Sequence, residues 1–203
     1  MERLSFIRDN IVPFTHGKKS EVFRIGNKNF YVVKVLKKRF KTEDEALQLA
    51  ANFKTNYETL VEYLGPYVTP TTFVVSDILG QSEEGLIEKR FIICVFQKFV
   101  NGISLRKALD KIQGDTSIYK DFLQRCLKMY EETEIVPDIT ARPTIIGWWK
   151  PIDSPNVIVE QNENGQLIPQ LVDIGFISGE WPLIRSEHPR ILTNSIRKLL
   201  ESL

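Results

Sequence analysis

Residues 20–36 read SEVFRIGNKNFYVVKVL, and this stretch decides how the N-terminal half of the chain folds. It contains two runs rich in β-branched and aromatic residues, 20–25 and 30–36, joined by the tetrapeptide GNKN. Two such runs around a short Gly/Asn turn predict a β-hairpin. The chain is therefore expected to open with antiparallel sheet, with Lys34 in the middle of the second arm.

A long amphipathic helix is predicted directly after the hairpin. Apolar residues recur at helical spacing from Thr42 to about Leu64, and Glu45 follows Thr42 at the spacing of a capping box. The dipeptide Gly-Pro at 65–66 ends the helix. Two further apolar runs, 71–78 and 90–99, predict strands, and the second is apolar enough to be buried on both faces.

The C-terminal half is predicted to be mainly helical, with one hairpin inside it. The hairpin turn is the polar sequence NENG at 162–165, and its second arm continues into DIGF at 173–176. A boundary near residues 98–102 divides the chain into segments 1–98 and 99–203. The predicted elements are helices at 104–112, 117–133 and 190–203, and hairpin arms at 156–160 and 167–174.

Length and composition describe an ordinary globular protein. The 203 residues are 42% hydrophobic and 26% charged, which suffices for one domain or two small lobes. A net charge of +1 offers no electrostatic reason to expect a nucleic-acid or anionic membrane partner. Two cysteines predict neither a disulfide framework nor a zinc cage, and no apolar run reaches about 18 residues. We therefore expect a cytoplasmic protein with reduced cysteines.

The order of these elements resembles that of the protein-kinase-like superfamily over nearly the whole chain. The sequence VVKV around Lys34, the long helix, the link after residue 96 and the late hairpin ending in Asp-x-Gly carry the resemblance. Within that superfamily, the pattern of motifs is nearest to that of the aminoglycoside and lipopolysaccharide kinases. The resemblance implies an α+β, bilobal fold, with an antiparallel-sheet N-lobe and one long helix in 1–98 and a reduced, mainly helical C-lobe in 99–203.

The resemblance assigns Lys34 to the α- and β-phosphates of ATP, because a rigid strand keeps one ammonium aimed at the nucleotide. Read by itself, VVKV favours a solvated lysine on an exposed strand face, and only the order of the surrounding motifs reverses that preference. The long helix should supply a carboxylate that orients the lysine, and the family spacing selects Glu58. Glu45 and Glu62 remain alternatives.

Just upstream, residues 17–23 read GKKSEVF, in the position of a kinase phosphate-covering loop. The resemblance assigns Gly17 and Ser20 to this loop. A single glycine remains where kinases have several, so a plain surface turn is the alternative.

The link QKFVNGISL at 97–105 resembles the connection between kinase lobes, whose backbone recognises the adenine edge. This implies that the backbone from Gln97 to Phe99 binds the base. Val95 or Phe96 would line the back of the site. The alternative is a strand that simply ends at an Asn-Gly turn.

Asn156 and Asp173 match the kinase asparagine and Asp-x-Gly aspartate that hold magnesium against the phosphates. An amide oxygen and a carboxylate are ligands that Mg²⁺ accepts while keeping its waters. The usual catalytic aspartate, however, is replaced by Pro151. Asp153 and Asp138 are the two carboxylates that could substitute as the base.

These assignments predict an ATP- and Mg²⁺-binding phosphotransferase. Only about thirty residues follow Asp173, which favours a small-molecule acceptor or one presented by a partner protein over a docked peptide. The alternative is a pseudokinase that lacks the usual base and regulates a partner through its nucleotide-dependent conformation. A third reading is an interaction module that binds no nucleotide.

Overall fold

The computed structural model describes residues 11–16, 20–26, 31–81, 87–111, 114–139, 156–162, 165–173, 176–178 and 188–203. Within these ranges the chain is a mixed α+β protein with four α-helices and antiparallel strands, which confirms the predicted α+β class. The chain divides into two compact units. Unit 1 comprises Met1–Thr55 and Pro70–Phe99, and unit 2 comprises Asn56–Thr69 and Val100–Leu203.

Unit 1 is built on a five-stranded antiparallel sheet with the order β1-β2-β3-β5-β4. The predicted hairpin is confirmed, since β2 and β3 pair in register from end to end. The edge strand β1 was not predicted, because Pro13 interrupts its pattern; a bulge between Pro13 and Thr15 accommodates it. The strands are β1 Ile11–His16, β2 Ser20–Ile25, β3 Tyr31–Leu36, β4 Thr71–Gln81 and β5 Ile87–Lys98.

The long helix α1 spans Glu43–Leu64, as predicted to within one residue. At its start the backbone N–H of Glu45 donates to Thr42 Oγ1 over 3.3 Å, so Thr42 caps the helix. Leu64 is the last helical residue because Gly65 adopts a φ of 52°, and a short 3-10 helix, Gly65–Tyr67, follows.

The core of unit 1 lies where the first half of α1 packs on the sheet. Small residues on the helix, Ala46 and Ala50, allow close approach to the buried side chains of Ile93 and Val95 on β5. The aromatic rings of Phe53 and Phe73 stack at 6.3 Å. Partly buried apolar residues surround this cluster: Leu36, Leu49, Val75 and Phe91.

In its described residues, unit 2 combines three α-helices and the end of α1 with five short strands. The predicted hairpin is confirmed as β8 and β9, and β6 pairs with β8 on its other side. Strands β6, β7 and β10 were not predicted, because three residues are too few to show a period of two. The elements are β6 Gly102–Ser104, α2 Leu105–Leu109, α3 Ser117–Thr133, β7 Ile135–Pro137, β8 Val157–Gln161, β9 Leu167–Leu171, β10 Phe176–Ser178 and α4 His188–Ser202.

The core of unit 2 is centred on α3. Its apolar stripe is buried together with side chains from the end of α1, from α2, from the strands and from α4. Cys126 belongs to this stripe, and burial raises the pKa of its thiol. The other cysteine, Cys94, is half-buried in unit 1, and neither cysteine is bridged. The largest fully buried side chains include Leu60, Leu64, Leu105, Phe122, Met129, Leu192 and Ile196.

Candidate functional site

The candidate residues fall into two groups, one in each unit. In unit 1, Lys34 stands opposite Val22 on β2 and Val95 on β5. Residues directly opposite each other in an antiparallel sheet project from the same face. Val95 is only 5% exposed and belongs to the core packed by α1. Lys34 is therefore half-buried on the helix-packed face, which argues against the alternative of a solvated lysine on an exposed face.

Ser20 and Gln97 share that face with Lys34. Ser20 lies two residues before Val22, and Gln97 lies two residues after Val95, so both follow the alternation of the strands. Phe96 projects from the opposite face, which leaves Val95 as the residue that adjoins Lys34. We call the face carrying Ser20, Lys34, Val95 and Gln97 the lysine face. Gly17 lies outside the described residues.

Gln97 is the most unusual residue of the lysine face. Its side chain is 3% exposed, and its Nε2 donates to Thr71 Oγ1 on β4 over 2.9 Å. Its Oε1 is buried and has no hydrogen-bond partner within the described part of the chain. Buried acceptors are rarely left without a donor, so this oxygen needs an explanation.

Phe99, the other predicted base-binding position, contacts an arginine that the sequence did not single out. The guanidinium carbon of Arg24 lies 4.6 Å from the centre of the Phe99 ring and 3.9 Å from that of Phe14. The two rings meet edge to face at 6.0 Å. These residues come from β1, β2 and the end of β5, so only their spatial arrangement reveals the cluster.

In unit 2 the metal candidates lie at adjoining strand ends. Asn156 directly precedes β8, and its backbone oxygen accepts a hydrogen bond from the N–H of Val172 over 2.8 Å. Asp173 is the next residue along the chain. The antiparallel pairing of β8 with β9 therefore brings Asn156 and Asp173 together, although seventeen positions separate them in the sequence.

Asp138 joins this pair from a third strand. The Nδ2 of Asn156 donates to the backbone oxygen of Asp138 over 2.9 Å, and β7, which ends at Pro137, pairs with β10 after Asp173. Asp138 thus directly follows strand β7. Since a carbonyl only accepts, the bond fixes the Asn156 amide with its nitrogen toward Asp138. We call Asp138, Asn156 and Asp173 the strand-end cluster.

The donor types of the strand-end cluster fit magnesium. One amide oxygen and one carboxylate would supply a share of the oxygen ligands, and Mg²⁺ usually completes its octahedron with waters and phosphate oxygens. Within the described residues, no group of three or more His, Cys, Asp or Glu side chains could hold a metal ion. A metal ion that takes some of its ligands from nucleotide phosphates does not require three such side chains.

The three carboxylates considered as partners of Lys34 all lie on α1 and are exposed. Glu45 has a local role in unit 1, since its carboxylate accepts the backbone N–H of Lys41 over 3.3 Å. Glu58 and Glu62 belong to the part of α1 in unit 2. Asp153, the second base candidate, lies outside the described residues.

None of the helices in the described ranges combines enough length with enough apolar character to cross a bilayer.

Comparison with known proteins does not assign the chain to a family. No protein-family model matches the sequence, and no curated protein matches it significantly. A functional proposal must therefore be argued from the lysine face, the strand-end cluster and the order of motifs along the chain.

Proposed function

We propose that this chain is a bilobal, protein-kinase-like phosphotransferase that binds ATP and Mg²⁺. In this proposal Lys34 contacts the α- and β-phosphates, and Asn156 and Asp173 bind the metal. The observation that carries it is the strand-end cluster, where an amide and two acidic residues adjoin through the pairing of β8 with β9 and the hydrogen bond to Asp138. The placement of Lys34 on the helix-packed face of a sheet adds independent support.

The reaction would transfer the γ-phosphoryl group to a hydroxyl of a small molecule or of a group presented by a partner protein. The hydroxyl oxygen bonds to the γ-phosphorus, the bond to the β–γ bridging oxygen breaks, and ADP leaves with that electron pair. Bound Mg²⁺ would offset the phosphate charge. The hydroxyl proton would pass to Asp138, which we favour over Asp153 because Asn156 holds its backbone beside the metal ligands.

Calorimetric titration with ATP, with and without Mg²⁺, tests the binding step. We expect Mg²⁺-dependent binding that Lys34→Met weakens roughly 10- to 100-fold, since a charge-assisted hydrogen bond is lost. Asp173→Asn should remove the Mg²⁺ dependence. The matched controls are Lys41→Met and Asp77→Asn, which alter exposed residues of the same types and should bind like wild type. Absence of binding by wild type would favour the interaction module without nucleotide.

The pseudokinase remains a second candidate, because Pro151 occupies the position of the usual base. Consumption of the γ-phosphate, measured against Asp173→Ala, separates the two. The phosphotransferase predicts turnover that Asp138→Asn lowers roughly 10²- to 10⁴-fold with ATP affinity retained. The pseudokinase predicts ATP binding with no turnover above the Asp173→Ala background.

A further inference from the structure

The buried oxygen of Gln97 suggests how the proposed nucleotide site selects its base. The Gln97 amide is held at its nitrogen by Thr71, so the acceptor oxygen points away from that bond. This oxygen is buried and lacks a donor within the described residues. A buried, oriented acceptor without a partner is matched by a ligand that brings a hydrogen-bond donor.

Gln97 is suitably placed relative to Lys34. Val95 stands directly opposite Lys34, and Gln97 is the next residue of β5 on the same face. Such diagonal neighbours lie about 7–8 Å apart. The Val32 side chain, directly opposite Gln97, is buried and apolar, so it can contact the flat surface of a ring. The base and the phosphates of one nucleotide could thus meet Gln97 and Lys34 along a single sheet face.

We propose that the side chain of Gln97 recognises adenine, with Oε1 accepting a hydrogen bond from the exocyclic 6-amino group. This inference rests on the proposed ATP binding and adds base selectivity to it. Guanine carries a carbonyl oxygen at the same ring position, so two acceptors would face each other without a proton between them. In this proposal Thr71 is a positioning residue: its hydroxyl can donate or accept, and while it accepts from Nε2 the amide presents Oε1, and not its nitrogen, to the base.

Wild-type protein alone provides the first test. Titrations in excess Mg²⁺ compare ATP, GTP and purine riboside triphosphate, which lacks the 6-amino group. We expect purine riboside triphosphate to bind about tenfold more weakly than ATP, the usual effect of one lost hydrogen bond that leaves a buried acceptor unpaired. GTP should bind more weakly still. Equal affinity for ATP and purine riboside triphosphate would overturn the inference.

Variants provide the second test. Gln97→Met keeps the length of the side chain and removes the acceptor. The variant should therefore bind ATP only as tightly as wild type binds purine riboside triphosphate. Its affinity for purine riboside triphosphate should equal that of wild type. Thr71→Val should narrow the preference for ATP over GTP. Gln170→Met, which changes a glutamine bonded to the Pro66 carbonyl, should leave the preference intact.

Two outcomes separate this inference from the proposed function. If ATP binds in a Lys34-dependent manner but Gln97→Met keeps the wild-type base preference, only the role of Gln97 is wrong. If no nucleoside triphosphate binds wild type, the proposed function fails and the base selectivity fails with it.

Discussion

Replacing Gly102 by alanine should destabilise the chain more than its exposed position suggests. Gly102 begins β6, which pairs with β8. A Cβ atom at this position would lie 2.0 Å from the backbone oxygen of Val159 and 2.7 Å from its carbonyl carbon. Both atoms are backbone, so neither can rotate away as a flexible side chain would.

The size of this steric clash sets the expected loss in the free energy of unfolding. Close carbon–oxygen contacts in sheets are about 3.3–3.6 Å, so β6 would have to retreat from β8 by about 1.3 Å or more. A strand of three residues cannot absorb that shift and keep its hydrogen bonds. Overpacking usually costs about 1–3 kcal/mol, and we expect Gly102→Ala to lie at the upper end, about 3 kcal/mol.

Urea unfolding followed by circular dichroism measures this loss. The control is Asn101→Ala, an exposed neighbour, which should change the free energy of unfolding by less than about 0.5 kcal/mol. Because β8 follows directly on Asn156, Gly102→Ala should also weaken the Mg²⁺-dependent ATP binding that we propose. A free energy of unfolding within about 0.5 kcal/mol of wild type would refute the close approach of β6 to β8.

Three further predictions concern stability measured by the same urea unfolding. Tyr67→Phe removes the hydroxyl that donates to Asp121 over 2.8 Å and should cost about 1 kcal/mol at pH 7. Burial, and then the bond to Asp121, raises the pKa of Tyr67 to about 12, so the stability linked to its proton is complete below pH 10 and is lost as the pH rises toward 12. The wild-type advantage over Tyr67→Phe should accordingly shrink in that range, and an advantage that grows would contradict the assignment. Thr42→Ala removes the cap of α1 and should cost about 1 kcal/mol, whereas no loss would show that Thr42 does not cap the helix. Glu134→Gly should stabilise by about 0.5–1 kcal/mol, because Glu134 ends α3 with a φ of 59°, and destabilisation would contradict that conformation.

The local elements could be predicted because their signals are local. The β-branched and aromatic runs around the turn in residues 20–36 indicated β2 and β3, and the helical spacing before Gly65 indicated α1. The turn of the second hairpin was recognisable from its Asn and Gly residues, and Gly165 has the positive φ of 78° that such a turn requires. Each of these signals lies within a few residues of the element that it specifies.

The contacts around the candidate residues could not be predicted in the same way. The sequence offered two carboxylates, Asp138 and Asp153, as candidates for the catalytic base. The observation that favours Asp138 is the hydrogen bond that its backbone oxygen accepts from Asn156, eighteen positions away. No local pattern marks Arg24, because its contacts with Phe14 and Phe99 join segments that are distant in the sequence. Such contacts depend on strand order and register, which leave no local pattern.

By itself, the sequence determined which segments form the helices, the two predicted hairpins and strands β4 and β5, because periodicity and turn chemistry are properties of short segments. It also showed which residue types are candidates to bind phosphate and metal. Only the tertiary structure decided that Lys34 lies on the helix-packed face, that the oxygen of Gln97 is buried, and that Asp138 adjoins Asn156. The physical reason is that these features depend on pairing between distant segments. A shift of one residue between paired strands would turn Lys34 and Gln97 to the opposite face, and the bond from Asn156 to Asp138 joins residues eighteen positions apart.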